Sequence, residues 1–223
     1  MGKRAICVYA KPPLPGRAKA RLAGAIGAEA AAEVAYALLH DLLDRLRQIA
    51  PHLEAEVMIW YPPDALPEEF APEFRGNITF LQQAGDDLGE RMSNTFQYLL
   101  NEEGYDSALI LGSDCVTFTE EVLGTAFDLL QRLPVVLQGA YDGGYVMVGQ
   151  SVYTPHMFES MLWGHDQVMA ITRRCLVDHG TRYGELTLTY DIDQVEDLEK
   201  LSALIDPISH PAIYQWLARR PKV

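Results

Sequence analysis

Short apolar runs alternate along the chain with longer stretches whose apolar positions recur at helical spacing. That alternation predicts an α/β protein, with strands buried in a mostly parallel sheet and helices packed across it. Residues 4–10, Arg-Ala-Ile-Cys-Val-Tyr-Ala, read as the first strand. Residues 28–49 are rich in Ala and Leu, with acids toward the start and Arg45 and Arg47 toward the end, as a long helix and its dipole prefer; Pro51 stops it. A second strand is expected over 54–61 and a short third over 77–81, with a proline-marked loop and a short helix over 68–74 between them.

The strand over 108–111, Ala-Leu-Ile-Leu, is apolar without a break, so both of its faces should be covered. Thr119 with Glu120 and Glu121 opens the next helix. Residues 135–139 and 145–149 are apolar runs separated by Asp142-Gly143-Gly144, a strong hairpin signal. An amphipathic helix over 167–179 with Asp166 as its cap, a strand over 186–190 and a terminal helix over 211–223 with a basic end complete the pattern.

The length of 223 residues suits one domain, 1–223, with a full core. A net charge of −13 opposes attraction to nucleic acid or to an anionic membrane, and no segment is long and apolar enough for membrane insertion. Cys7, Cys115 and Cys175 are too widely spaced for a zinc motif or a disulfide framework, and no signal-peptide pattern is present, so reduced thiols and a cytoplasmic location are expected.

Against this acidic background, residues 11–22 stand out. Lys11, Arg17, Lys19 and Arg21 crowd into a loop stiffened by Pro12, Pro13 and Pro15 and opened by Gly16. Such a loop can surround phosphate oxygens, or it can be a solvated basic surface; the prolines, which hold the charges together at low entropic cost, favour phosphate. It is not a Walker A loop, because the Gly-Lys-Ser/Thr ending is absent. Asp114 follows Gly112-Ser113 where the central strand leaves the core, a place to hold a divalent cation or to stabilise a turn.

Further along, Gln83 and the Asp86-Asp87 turn could meet a nucleobase or simply start a helix. Asp142 with its glycines suits a turn that also admits a sugar or diphosphate to the backbone, and Asp142 is the candidate for orienting or deprotonating an acceptor hydroxyl. Asp191 and Asp193 share one side if the last strand continues through them, unless Asp193 caps the next helix. His165 reads as structural or solvated and not as catalytic.

Taken in order, Ala10-Lys11-Pro12, residues 15–22, Gly85 to Met92, Gly112-Ser113-Asp114, Asp142-Gly143-Gly144-Tyr145 and Asp191-Ile192-Asp193 resemble a nucleotide-diphospho-sugar transferase family within the glycosyltransferase A (GT-A) superfamily. That family carries a domain of unknown function and is similar to the cofactor-synthesis nucleotidyltransferases. The resemblance implies a Rossmann-like three-layer α/β/α sandwich, a nucleotide-binding half over 1–115 and an acceptor-binding half over 116–223. It also implies a metal-dependent enzyme that uses a nucleotide or nucleotide-sugar donor and a small-molecule acceptor.

Glycosyl transfer is the leading expectation; nucleotidyl transfer with pyrophosphate release and non-catalytic nucleotide binding are the alternatives. By resemblance, Ala10, Lys11, Gly16, Arg17, Lys19, Arg21, Gln83, Asp87, Leu88 and Gly89 line the nucleotide. Gly143, Gly144, Tyr145 and Trp163 line the acceptor, Asp114 and Asp193 hold Mg2+ or Mn2+, and Asp114, Asp142 and Lys19 are the catalytic set. The chain departs from the pattern at Ala20, Val116, Gly164-His165 and Gln194-Val195.

Overall fold

A computed structural model of the protein describes residues 2–76, 78–159 and 161–219. Its strands are β1 (Arg4–Tyr9), β2 (Ala55–Tyr61), β3 (Thr79–Gln82), β4 (Ser107–Gly112), β5 (Val135–Ala140), β6 (Tyr145–Gln150) and β7 (Tyr183–Thr189). They form one sheet in the order β3-β2-β1-β4-β6-β5-β7. Only β6 runs antiparallel to its neighbours, because a tight turn returns it from β5 and seats it between β4 and β5. The α-helices are α1 (Ala20–Ile26), α2 (Ala28–Ile49), α3 (Leu88–Gln97), α4 (Glu120–Leu130), α5 (Val168–Asp178), α6 (Val195–Leu204) and α7 (Pro211–Arg219).

Alternation along the strands decides the layers. Ile6 and Val8 of β1 face Leu39, Leu43 and Leu46 of α2, on the side where Phe127 of α4 also packs. Ala5 and Cys7 point the other way, toward Met92 and Phe96 of α3 and Met169 and Leu176 of α5. The α/β/α sandwich follows, and β4, covered on both faces, has the continuous apolar sequence such a position requires. A smaller third cluster joins Leu22, Val34 and Leu38 to Ile192, Leu198 and Ile213. It fastens α1, α6 and α7 to the flank of α2.

Several local expectations shift. The third strand begins at Thr79; Asn77 lies outside the described residues, as does the terminal helix beyond Arg219. Residues 68–74 form two 3-10 turns, Pro67–Glu69 and Pro72–Phe74, because Pro72 drives Ala71 into an extended conformation and breaks any helix there. Asp166 does not cap α5. Gln167 takes the N-cap position, and its amide donates to His165 Nδ1 at 3.0 Å, so the histidine has the structural role expected of it. The cationic loop is shorter than its sequence suggests, since α1 already starts at Ala20. Thr119 does cap α4, accepting from the Val122 amide.

Candidate functional site

Strands β1, β4, β5 and β7 are parallel, so the loops that leave their carboxyl ends gather along one edge of the sheet. The chain goes from β1 to β2 on one side and returns to β4 on the other. The loops after β1 and β4 therefore splay apart at a topological switch point, where open α/β sheets take their ligands. The first of these is the cationic loop and the second carries Asp114.

They meet through Lys19. Its backbone is left-handed, φ 55°, an unfavourable conformation for a residue with a Cβ that turns the side chain inward just before α1. The ammonium lies 2.7 Å from Asp114 Oδ2 and also donates to the carbonyl of Ile192. The Lys19 side chain is only 3% exposed whereas that of Asp114 is 40% exposed, so the pair has a buried cationic end and an open carboxylate end. Burying an ammonium is tolerable only with such partners. Of its three N–H donors these contacts occupy two. Ser113 Oγ donates to the other Asp114 oxygen.

The segment after β7 closes the arrangement. The Ile192 amide bonds to the carbonyl of Asp114 at 3.1 Å and its side chain is fully buried, so Asp191 and Asp193 are held on either side of a fixed residue. Asp193 Oδ2 pairs with Arg21 at 3.0 Å. Asp191 is different. Burial first, and then the negative charges of Asp142 and Asp114, push its carboxyl up to about 6, with Lys19 pulling the other way. Asp114 is thus among the charges that act on Asp191, the acid beside the Asp193 to which the sequence points. The signal was present in the Asp-Ile-Asp triplet; what separates the two acids is Arg21, which no spacing rule brings to Asp193.

Other expected site residues are put to structural use. Arg17 turns away from the switch point, toward Asp64 at 3.4 Å and Glu69 at 3.6 Å, while Lys11 is exposed and Gly16 makes its turn at φ 77°. Ala10 is buried, its amide bonded to the carbonyl of Trp60. The Gln83 amide group is buried as well and donates to the same carbonyl. Asp87 caps α3 by accepting from the Glu90 amide at 2.9 Å. Leu88 begins that helix, and Gly89 is a glycine because a Cβ there would stand 2.7 Å from the Trp163 ring.

On the expected acceptor side, Asp142 accepts from the Gly144 amide at 2.9 Å and shapes the β5–β6 turn. Gly143, at φ 92°, has no room for a side chain, since a Cβ would fall 1.9 Å from the Asp166 carbonyl oxygen. Tyr145 and Trp163 pack edge to face, 6.2 Å apart, in the α3–α5 layer.

Mg2+ and Mn2+ prefer oxygen donors, and Mg2+ commonly takes one or two carboxylates with water and substrate phosphate completing the shell. Among the described residues no group of three His, Cys, Asp or Glu side chains can hold a metal ion. A site with fewer protein ligands does fit: Asp114 is open on one side, and its charge is among those that, after burial, raise the Asp191 carboxyl, an effect a divalent cation would offset. A cavity of about 1080 Å3 lies elsewhere, between Pro13 and Pro15 of the loop, the start of α2 and Trp216 of α7, and contains none of these carboxylates.

Residues 45–165 match the family described as "Uncharacterized protein conserved in bacteria (DUF2064)". The chain belongs to that family. No curated protein matches it. Among solved structures it is similar to a protein of Desulfovibrio desulfuricans G20 provisionally named a nucleotide-diphospho-sugar transferase, at 28% identity and TM-score 0.84, with 96% of this chain and 95% of that one covered. It also shares its fold, at 12% identity and TM-score 0.58, with 4-diphosphocytidyl-2C-methyl-D-erythritol synthase from Anaerococcus prevotii DSM 20548, covering 91% and 95%. The CMP:2-keto-3-deoxy-manno-octonic acid synthetase solved with CTP is similar to the same degree, covering 91% and 98%. The comparisons and the sheet agree on the expected mostly parallel α/β fold. Among its described residues no helix is long and apolar enough to cross a membrane.

Proposed function

We propose that this protein transfers a glycosyl group from a nucleotide-diphospho-sugar to a small hydroxylic acceptor, with Mg2+ or Mn2+ as cofactor. The observation that carries the reading is the junction of the cationic loop with the acid edge, where Lys19 spans Asp114 and Ile192 beside Asp191. The donor belongs over residues 1–115 and the acceptor over 116–223, in a single domain.

When the sugar–phosphate bond breaks, negative charge gathers on the leaving nucleoside diphosphate. Preorganised cations at that point lower the barrier, because they need not reorganise as the charge develops. Lys19 supplies its charge to this point from within the fold, with Arg21 on α1 and the exposed Lys11 of the loop nearer to solvent. Asp114 and Asp191 would hold the divalent cation, which supplies charge neutralisation at the diphosphate when bound. Asp142, on the turn facing Asp191, accepts the hydrogen bond of the acceptor hydroxyl and orients it for attack.

The test is a thermal-shift screen of sugar nucleotides and nucleoside triphosphates with and without Mn2+, followed by product analysis with the ligands that bind. Stabilisation by a sugar nucleotide and release of nucleoside diphosphate is the expected result. Release of pyrophosphate from a triphosphate would replace glycosyl with nucleotidyl transfer. Metal-independent binding, or no binding at all, would overturn the proposed site.

A further inference from the structure

Tyr141 and Tyr190 stand at the same edge with their rings stacked, centroids 4.3 Å apart and planes 28° from parallel. The first ends the run from β5 and the second follows β7, and the Tyr141 amide bonds to the carbonyl of Thr189 at 3.1 Å. Each tyrosine immediately precedes a carboxylate of the site, Asp142 or Asp191, and those two acids are close enough for one to perturb the other. Tyr190 is the more covered ring, with Lys200 Nζ 5.1 Å from its centroid. Tyr141 is 58% exposed. A pair serving only to clip two strands together would bury both rings; this one leaves Tyr141 exposed, backed by the stacked Tyr190 ring, beside hydrogen-bond acceptors.

Resting on the transferase reading above, we infer that Tyr141 and Tyr190 form the platform on which the acceptor lies, and that the acceptor is a neutral sugar presenting the C–H face of its ring. An aromatic face is electron-rich and attracts weakly positive C–H groups, while ionised carboxylates can only accept, which matches hydroxyl donors around the rim of a pyranose. Charge sets the class. In the metal-free protein Asp114, Asp142, Asp191 and Asp193 outnumber Lys19 and Arg21, both of which are already paired with acids of the set, and Lys200 beside Tyr190 is paired with Asp197. An acceptor bearing a phosphate or carboxylate would meet this field as a like charge.

Saturation-transfer difference NMR at pH 7.5 tests the assignment, using the methyl α-pyranosides of glucose, galactose and mannose as probes beside glucose 6-phosphate. Wild-type protein is compared with Tyr141→Ala, Tyr190→Ala and Tyr141→Phe. At least one neutral pyranoside should show ring C–H saturation that falls threefold or more in both Ala variants and survives in the Phe variant, with glucose 6-phosphate giving under a third of that signal. No signal from any pyranoside, an unchanged signal in Tyr141→Ala, or an equal signal from glucose 6-phosphate overturns the platform. Calorimetry with UDP and GDP in Mn2+ on the same samples separates the two readings. Nucleotide binding without sugar binding removes the platform alone; sugar binding without nucleotide binding removes the transferase and leaves a sugar site.

Discussion

Replacing Asp191 by Asn should make the metal-free protein more stable at alkaline pH and leave it unchanged at acid pH. An Asp carboxyl ordinarily titrates near 3.8, and in the fold burial and its acidic neighbours carry Asp191 to about 6. As pH rises, the unfolded chain therefore loses this proton first. Between those two values the folded state holds more protons than the unfolded state, so stability falls with rising pH and the full penalty is present above about 6. At about 1.4 kcal/mol per decade the gap corresponds to roughly 3 kcal/mol, and since solvent reaches part of the group about 2 kcal/mol is the working value. For a chain of this length that is about 4 °C in melting temperature.

Urea unfolding of both proteins in EDTA at pH 4 and pH 8 measures it directly. Asp191→Asn should gain about 2 kcal/mol over wild type at pH 8 and roughly nothing at pH 4. A difference that does not change between the two pH values would refute the electrostatic account. If the variant is the less stable protein at pH 8, Asp191 is being held by favourable contacts and the reasoning fails in sign. Repeating the pH 8 measurement with Mn2+ should raise the wild type more than the variant.

Lys19→Met removes the bridging ammonium and should weaken nucleotide binding in Mn2+ about tenfold or more, or about 1.4 kcal/mol; calorimetry giving the wild-type constant would take Lys19 out of the site. Gly143→Ala places a methyl where the Asp166 carbonyl already stands and at a φ that glycine alone adopts freely, so a loss of about 3 kcal/mol in urea unfolding is expected. A loss below about 0.5 kcal/mol would mean that the turn relaxes at little cost. Gly89→Ala should push the Trp163 ring off α3, which a red shift of tryptophan emission would report; an unchanged spectrum contradicts the packing described for that pair.

Much of this architecture can be read from hydrophobic periodicity. The helix over 28–49 has the ends the sequence suggests, and β1, β4 and β5 are apolar runs because their positions in the sheet are covered from both sides. β3 is harder to read, being a short strand with exposed residues and little hydrophobic signal. The lateral order is also hidden: nothing local to β6 says that it will slide in beside β4 instead of forming an outer hairpin strand. At the candidate site, residue types were legible and partners were not. Asp114 and Lys19 stand out by position and charge, and they do meet. The different surroundings of Asp191 and Asp193 depend on an arginine distant in sequence, and Gly89 and Gly143 are dictated by a tryptophan and a carbonyl that approach only in three dimensions.

Ile192 gives the acid edge an unusual sensitivity to length. Its side chain is a peg sunk among Leu22, Val34 and Ile213, and the acids project on both sides of it as the teeth of a short comb. Surface segments of this kind usually tolerate insertions. Here one added or deleted residue would drive a carboxylate toward the oil of the interior and lift the peg into water. Across relatives that keep the chemistry, this stretch should therefore vary in letters while the number of residues between β7 and α6 stays constant.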